Sequence, residues 1–151
     1  MCMFPNAKGS ERLAVLASID PSNQAAGVAA SAWVALNAHH TLLAVIETGA
    51  MANGSTVDAK LQQATDATGT GAKDITGKSA SQLAQASNGA NRQALINLRP
   101  EELDINGGFA YVRVVLTVAG TAAQTAAQLL GIDPRFAPAE GANQAAVAQI
   151  V

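Results

Sequence analysis

Residues 109–118 read FAYVRVVLTV, and this stretch decides the fold class because its apolar side chains recur at every second position. Successive side chains of an extended strand point to opposite faces, so alternate residues share a face. One face would be wholly aliphatic, with Val112, Val114, Leu116 and Val118. The other would carry Tyr111, Arg113, Val115 and Thr117. The stretch therefore predicts a β-strand at the centre of the hydrophobic core.

Two other stretches alternate in the same way, at residues 57–64 and 92–98. Their inward-facing residues would be Val57, Ala59 and Leu61 in the first, and Ala94, Ile96 and Leu98 in the second. Asn53-Gly54 supplies the positive φ angles of a tight hairpin turn before the first strand. Pro100 ends the second strand and favours one helical turn over 100–103, and Asn106-Gly107-Gly108 then turns the chain.

The remaining stretches predict shorter or weaker elements. An apolar run at 13–19 predicts a strand closed by a turn at Asp20-Pro21, and residues 23–32 predict a loop because no large apolar residue anchors them. One strand would begin at Trp33 and continue past His39-His40 to Thr48. Residues 73–90 predict a weak edge strand with loops.

Residues 121–130 fit either a strand or a helix, since Ala122, Ala126, Leu129 and Leu130 also satisfy helical spacing. We favour a final strand because the stretch follows another strand after a single Gly120. Six to eight short strands without βαβ alternation predict an all-β fold, an antiparallel β-sandwich that is either jelly-roll-like or immunoglobulin-like. The sandwich would span 13–138, between an extended N-terminal arm (1–12) and a C-terminal tail (139–151).

Composition favours a protein that works in an assembly. The 151 residues suffice for one domain, and 49% are hydrophobic, but only 3% are aromatic and 13% charged. Much of the apolar fraction is alanine, which buries little area, and association would remove more apolar surface from water. The net charge of -2, with nine Lys and Arg that form no basic run, argues against nucleic acid as a partner. Without a signal or membrane-spanning run, we expect a soluble product with no membrane partner.

The sharpest chemical motif is AKDITGKS at 72–79, a permissive form of the phosphate-binding loop with Ala72 in place of the first glycine. In such a loop, Lys78 would hold phosphates and Ser79 would hold Mg²⁺. The motif counts only between a buried strand and a helix, and neither is predicted around it. A Gly-Lys turn is the better interpretation.

Other candidate residues lack the arrangement that chemistry needs. His39 and His40 would point to opposite faces of a strand, so they cannot bind one ion together. Glu101, Glu102 and Asp104 are a carboxylate cluster that is better interpreted as a polar corner. The single cysteine, Cys2, gives no disulfide and has no basic neighbour to activate it. We therefore predict no catalytic, cofactor-binding or metal-binding residues.

The two aromatic residues Trp33 and Tyr111 are best interpreted as anchors in a core or an interface. A carbohydrate or small-ligand module would need exposed aromatic side chains, and the low aromatic content supplies few. A ligand-binding module stays open as the third hypothesis, after the two structural roles described below.

Two segments carry a resemblance to a known group of proteins. They are DAKLQQATDATGTGAKD at 58–74, and 92–135 with its motifs EELDINGGFAYVRVVLTVAG and LGIDPRF. Together they resemble small proteins encoded beside the major capsid protein in tailed phages and prophages. The similarity runs from about Trp33 to Pro138, and the part before Trp33 departs from the pattern.

The resemblance implies a structural virion protein: a minor capsid, decoration or cement subunit that binds the major capsid protein. It implies a homotrimer on the capsid exterior, made in the bacterial host cytoplasm, with no cofactor. The arm or the tail would drape over neighbouring capsid subunits. The alternative within the particle is a head-to-tail connector or a tail component.

Overall fold

A computed structural model describes residues 5–136 and 138–151 of the chain. A short helix α1 (Gly9–Arg12) precedes ten strands. The strands are β1 (Leu13–Gln24), β2 (Gly27–Ala30), β3 (Val34–Ala35), β4 (His39–Met51), β5 (Thr56–Ala64), β6 (Lys73–Ser79), β7 (Leu83–Ala84), β8 (Gln93–Leu98), β9 (Tyr111–Ala119) and β10 (Ala123–Pro134). Single 3-10 turns lie at Gln85–Ser87, Pro100–Glu102 and Ala139–Ala142.

The strands form two antiparallel sheets that pack face to face. Sheet A has the order β1-β10-β4-β8. Sheet B has the order β2-β9-β5-β6, with β3 beside β9 and β7 beside β5. This order is that of a jelly roll. An immunoglobulin sandwich keeps its first two strands in one sheet, whereas β1 and β2 lie in different sheets here. The predicted all-β sandwich is thus confirmed, and the strand order selects the jelly roll.

The strand predicted at the centre of the core is confirmed as β9, which lies between β5 on one side and β2 and β3 on the other. Its four inward-facing residues, 112, 114, 116 and 118, are at most 2% exposed. Opposite them, sheet A contributes Leu42, Ile46, Leu98 and Leu129 to the same cluster. Alanine fills many remaining core positions, namely Ala17, Ala44, Ala59, Ala123 and Ala127. The core therefore buries little apolar area per residue.

Two corners, where the chain crosses between the sheets, pack against each other. Residues 52–55 form the predicted tight turn, with Gly54 at φ 81° and the Ser55 N–H donating to the Ala52 carbonyl at 3.0 Å. The predicted hairpin is wrong, because this turn joins β4 of sheet A to β5 of sheet B. Gly120, at φ 78°, begins the return from β9 to β10. The Thr121 hydroxyl then donates to the Asn53 carbonyl at 2.8 Å.

The turn predicted at Asp20-Pro21 is wrong, since β1 continues through both residues. Its register against β10 shifts between Ile19 and Ser22, which marks an irregularity of the β-bulge type. An edge strand tolerates a proline at such a site because one side of the strand makes no ladder bonds. The Asp20-Pro21 pair, which predicted a turn, therefore marks an irregularity within the strand.

The loop predicted for 23–32 is wrong at Gly27–Ala30, which form β2 against β9. Most side chains of β2 are exposed, so its pairing depends on backbone hydrogen bonds and needs no large apolar anchor. The single strand predicted from Trp33 to Thr48 is also wrong. It is divided into β3 in sheet B and β4 in sheet A, with the crossing between them.

The favoured strand at 121–130 is confirmed as β10, which lies in the middle of sheet A and pairs with β1 on one side and β4 on the other. The predicted weak edge strand in 73–90 is confirmed as β6 and the short β7. The 3-10 turn at Pro100–Glu102 matches the helical turn predicted at the corner.

The tail begins in contact with the edge of sheet A. The Val15 N–H donates to Asn143 Oδ1 at 2.7 Å, and the Gln144 N–H donates to the Val15 carbonyl at 2.8 Å. In the arm, Ser10 Oγ donates to Glu140 Oε1 at 2.9 Å. Met1–Phe4, including Cys2, lie outside the described residues.

Candidate functional site

The stretch that resembles a phosphate-binding loop, at 72–79, contains the whole of the edge strand β6. The predicted Gly-Lys turn is wrong, although Gly77 has a φ of 77° within the strand. A strand distributes its N–H groups along a sheet, whereas phosphate binding needs them to converge at the start of a helix. Lys78 instead forms an ion pair, with its Nζ 2.9 Å from Glu102 Oε1.

Glu102 lies on the corner after β8 and has two partners. Besides Lys78, the backbone N–H of Arg99 donates to Glu102 Oε2 at 2.8 Å. The hydrogen bond from Lys78 is the main cause that lowers the pKa of Glu102 below its ordinary value, and the Arg99 N–H adds to it. The carboxylate is therefore held in its charged form as part of the corner.

Asp104 on the same corner binds the other end of β6. Lys73 Nζ lies 2.6 Å from Asp104 Oδ2 and 4.1 Å from the centroid of the Phe109 ring. The Gly107 N–H donates to Asp104 Oδ1 at 3.0 Å. The Lys73 hydrogen bond, and then the Gly107 bond, lower the pKa of Asp104. The third carboxylate, Glu101, pairs with Arg99 Nε at 3.3 Å.

The structure thus brings together two motifs that the sequence keeps apart. Lys73 and Lys78 of β6 pair with Asp104 and Glu102, respectively, on the corner that connects β8 of sheet A to β9 of sheet B. Acid or base catalysis requires a carboxylate that is able to exchange a proton near neutral pH. The pKa values of Glu102 and Asp104 are lowered, and both carboxylates have cationic partners. The two ion pairs, Lys78–Glu102 and Lys73–Asp104, are therefore better interpreted as a structural clasp that fastens β6 to the corner. No spacing in the sequence signals these pairs, which join a strand to a distant corner of the chain.

His39 is buried at 2% exposure, whereas His40 is exposed, as alternation predicts. The His39 ring packs closely against Gly131, where an added Cβ would be 2.7 Å from two ring carbons. Neither ring nitrogen of His39 has a hydrogen-bond partner in the described structure. Burial lowers the pKa of His39, because an imidazolium without a partner is poorly solvated there.

We expect folding stability to fall as the pH drops below about 6.5, the ordinary histidine pKa. The unfolded chain takes up a proton near that pH while the fold keeps His39 neutral, so acid favours unfolding. Urea unfolding at about pH 7.5 and about pH 5.5 measures the loss across the histidine range. His39→Phe should reduce it and His40→Gln should not. An unchanged loss in His39→Phe would contradict this assignment.

The two anchor residues have different surroundings. The Arg113 guanidinium lies 4.6 Å from the Trp33 ring centroid, and Gly69 approaches the ring so closely that an added Cβ would be 2.6 Å from Trp33 Nε1. Arg113 also donates to Gln62 Oε1 at 2.8 Å. Trp33 is half-buried between β9 and the loop after β5, which suits an anchor. Tyr111 is likewise half-buried.

The outer face of sheet A carries a row of apolar side chains that alternate with the buried ones. This outer apolar patch consists of Leu43, Val45, Leu95, Leu130 and Ile132. In the strand register Leu43 is opposite Leu130, and Val45 is opposite Leu95. Leu95 is 61% exposed and the other four are partly exposed. Contiguous apolar surface of this kind is typical of a contact with another molecule.

The tail covers one side of this face. Gln144 and Val147 lie over β1 and β10 and, with Val15, Val45 and Ala126, line a cavity of about 280 Å³. The end of the tail is open to solvent, with Ile150 48% exposed. Patch and tail together make sheet A the main candidate interaction surface.

Metal chemistry has no candidate cluster in residues 5–136 and 138–151, where no three His, Cys, Asp or Glu side chains are grouped to hold an ion. In that same part of the chain, no helix has the length and apolar character needed to cross a membrane.

Comparison with protein-family models finds no match, and no curated protein sequence matches the chain. Comparison with solved structures finds likenesses at low sequence identity. A chain of Broad Bean Stain Virus is 12% identical at a TM-score of 0.41, over 76% of this chain and 63% of the viral one. A chain of Triatoma Virus is 8% identical at a TM-score of 0.43, over 85% and 67%.

An enzyme also shares this level of likeness. The acetyl xylan esterase Est2A from Butyrivibrio proteoclasticus is 11% identical at a TM-score of 0.36, over 85% of this chain and 31% of the enzyme. The jelly-roll assignment rests on the strand order of the chain itself, and that fold serves many functions. Function has to be argued from the surfaces.

Proposed function

We propose that the chain is a non-enzymatic structural subunit of a virus particle, a decoration or cement protein bound to the outside of a tailed-phage capsid. The observation that carries the proposal is the outer apolar patch on sheet A, whose most exposed member is Leu95. The clasp between β6 and the corner supports it, because the candidate catalytic residues Lys78, Glu102 and Asp104 are held in ion pairs. The resemblance at 58–74 and 92–135 points to the same role.

The partner in this proposal is the major capsid protein, and the subunit would act as a homotrimer where capsid subunits meet. Symmetry multiplies contacts that are individually weak, so a modest patch on each subunit suffices. The arm and the exposed end of the tail would extend the contact over neighbouring subunits. The near-neutral charge provides no attraction to the packaged nucleic acid.

Binding of Leu95→Glu to capsids that lack this protein tests the proposal. A carboxylate within an apolar contact would be buried without a partner. The protein concentration needed to half-saturate the capsids should therefore rise at least about tenfold. Thr76→Glu is the control, because it adds the same charge at an exposed position on β6 of sheet B, away from the patch. Equal binding by wild type and Leu95→Glu would contradict the use of this patch.

Copy number separates the cement role from a connector or tail role. A cement protein is present in hundreds of copies on a particle, and a ring at the head-to-tail junction holds about a dozen. Quantifying this chain against the major capsid protein in purified particles gives the ratio. About a dozen copies would replace the cement proposal with the connector.

A further inference from the structure

The sheet edge formed by β2 lacks the protection that the other edges of the described sandwich carry. An edge strand exposes unpaired N–H and C=O groups, which can pair with a strand from another molecule. Proteins usually block such edges with charges, prolines, bulges or a covering segment. The jelly roll has edges at β1 and β8 in sheet A, and at β2 and β6 in sheet B.

Three of these edges are blocked. β1 is irregular at Pro21, and the tail bonds to its Val15 backbone through Asn143 and Gln144. The other two carry charge on or beside the strand: Lys73, Asp74 and Lys78 on β6, and Arg92 and Arg99 at the two ends of β8. Each edge would meet a partner strand with a distorted, covered or charged surface.

Apart from its short length of four residues, the β2 edge has none of these devices in the part of the chain that the structure describes. No Asp, Glu, Lys or Arg occurs between Asp20 and Glu47 in the sequence, and Val28 on β2 is 67% exposed. The Ser31 N–H donates to the Val114 carbonyl at 3.0 Å. In the same antiparallel register, residues 27 and 29 also point their backbone groups at β9. The N–H and C=O groups of Val28 and Ala30 therefore point outward, in the plane of sheet B, from its free edge.

We propose that the β2 edge is an interaction surface for a second copy of this chain. Two β2 strands would pair antiparallel about a two-fold axis, with Val28 opposite Ala30 of the partner subunit and Ala29 facing its symmetry mate. This register uses the four free backbone groups of each strand and extends sheet B across the pair. The inference goes beyond the proposed function, since it requires no capsid and no three-fold contact.

Charge and side-chain size select a second copy as the occupant. A two-fold contact places the same surface against itself. A charged side chain on the edge would therefore lie near a side chain of the same charge on the partner subunit, and the two would repel each other. β6 and β8 would bring lysines or arginines together, whereas β2 would bring together only alanine, valine and glycine. Of the four edges in the described sandwich, β2 is therefore the uncovered one at which self-contact brings no like charges together.

Sedimentation of purified wild-type protein over a range of concentrations tests the proposal against edge-blocking variants. Ala30→Pro removes a free N–H that no intramolecular bond uses, and Val28→Lys places two positive charges at the contact. We expect wild type to dimerise and both variants to weaken dimerisation at least tenfold. Val28→Thr, which keeps the backbone and the β-branched shape, should dimerise like wild type. Circular dichroism verifies that each variant is folded.

A cysteine cross-link tests the register. Ala29 and its symmetry mate would form a non-hydrogen-bonded pair with Cα atoms about 4.5 Å apart, within disulfide reach. In a Cys2→Ser background, Ala29→Cys should form a covalent dimer on oxidation, whereas Asn97→Cys on β8 should not. The proposal is overturned if wild type stays monomeric, if Ala30→Pro associates as wild type does, or if only Asn97→Cys cross-links. It is also overturned if deleting residues 145–151 abolishes association, since the tail would then be the occupant.

Discussion

Replacing Leu116 with alanine is expected to lower the free energy of unfolding by about 3 kcal/mol. Leu116 is fully buried at the middle of β9, the central strand of sheet B, and belongs to the core cluster. Small neighbours such as Ala59, which is opposite it in β5, have no side chain long enough to fill the cavity. A domain of this size has a total stability of about 5–15 kcal/mol, so the loss is large.

Leu95→Ala is the matched control, because it makes the same chemical change at a side chain that is 61% exposed. We expect it to change stability by no more than about 0.5 kcal/mol. Urea unfolding followed by circular dichroism measures both variants. Similar losses at the two positions would contradict the burial of Leu116 in the core.

Replacing Gly120 with alanine is expected to destabilise the fold by about 3 kcal/mol. Gly120 has a φ of 78°, a conformation that costs an alanine about 1–2 kcal/mol by itself. An added Cβ would also overlap the Gly54 carbonyl oxygen, which belongs to the backbone of the neighbouring corner. One of the two corners would have to move, and both join sheet A to sheet B.

Gly54→Ala separates the two contributions. Gly54 has nearly the same φ, at 81°, but an added Cβ there meets no atom within 4 Å. We expect this control to lose only the conformational part, about 1 kcal/mol. Thermal unfolding of both variants gives the difference. If Gly54→Ala were as harmful as Gly120→Ala, close packing between the corners would not be the cause.

The strands that could be predicted are those with one buried face. In β5 and β9 the sandwich buries every second residue, so the sequence alternates and reveals both the strand and its inward side. At β10 helical spacing was also present, and the strand was favoured because the stretch follows β9 after a single Gly120. The Asn-Gly turn was predictable because the backbone itself requires a positive φ.

The elements that could not be predicted depend on contacts between distant residues. β2 exposes most of its side chains and is held by backbone groups that every residue has, so its sequence resembles a loop. Which strands pair is likewise absent from local patterns, and the hairpin expected at Asn53-Gly54 became a crossing between sheets. For the same reason the motifs at 72–79 and 101–104 were interpreted separately, although ion pairs join them.

The pairing of β1 with β10 has a consequence for how the protein is made. In sheet A, β1 has β10 as its strand partner, and Leu13 is paired with Ile132. Contacts between residues so far apart close late, because the loop between them must first be ordered. On the ribosome, β1 emerges early and waits until nearly the whole sandwich has been synthesised. Until then β1 lacks its strand partner, so sheet A is completed only after β10 has been synthesised.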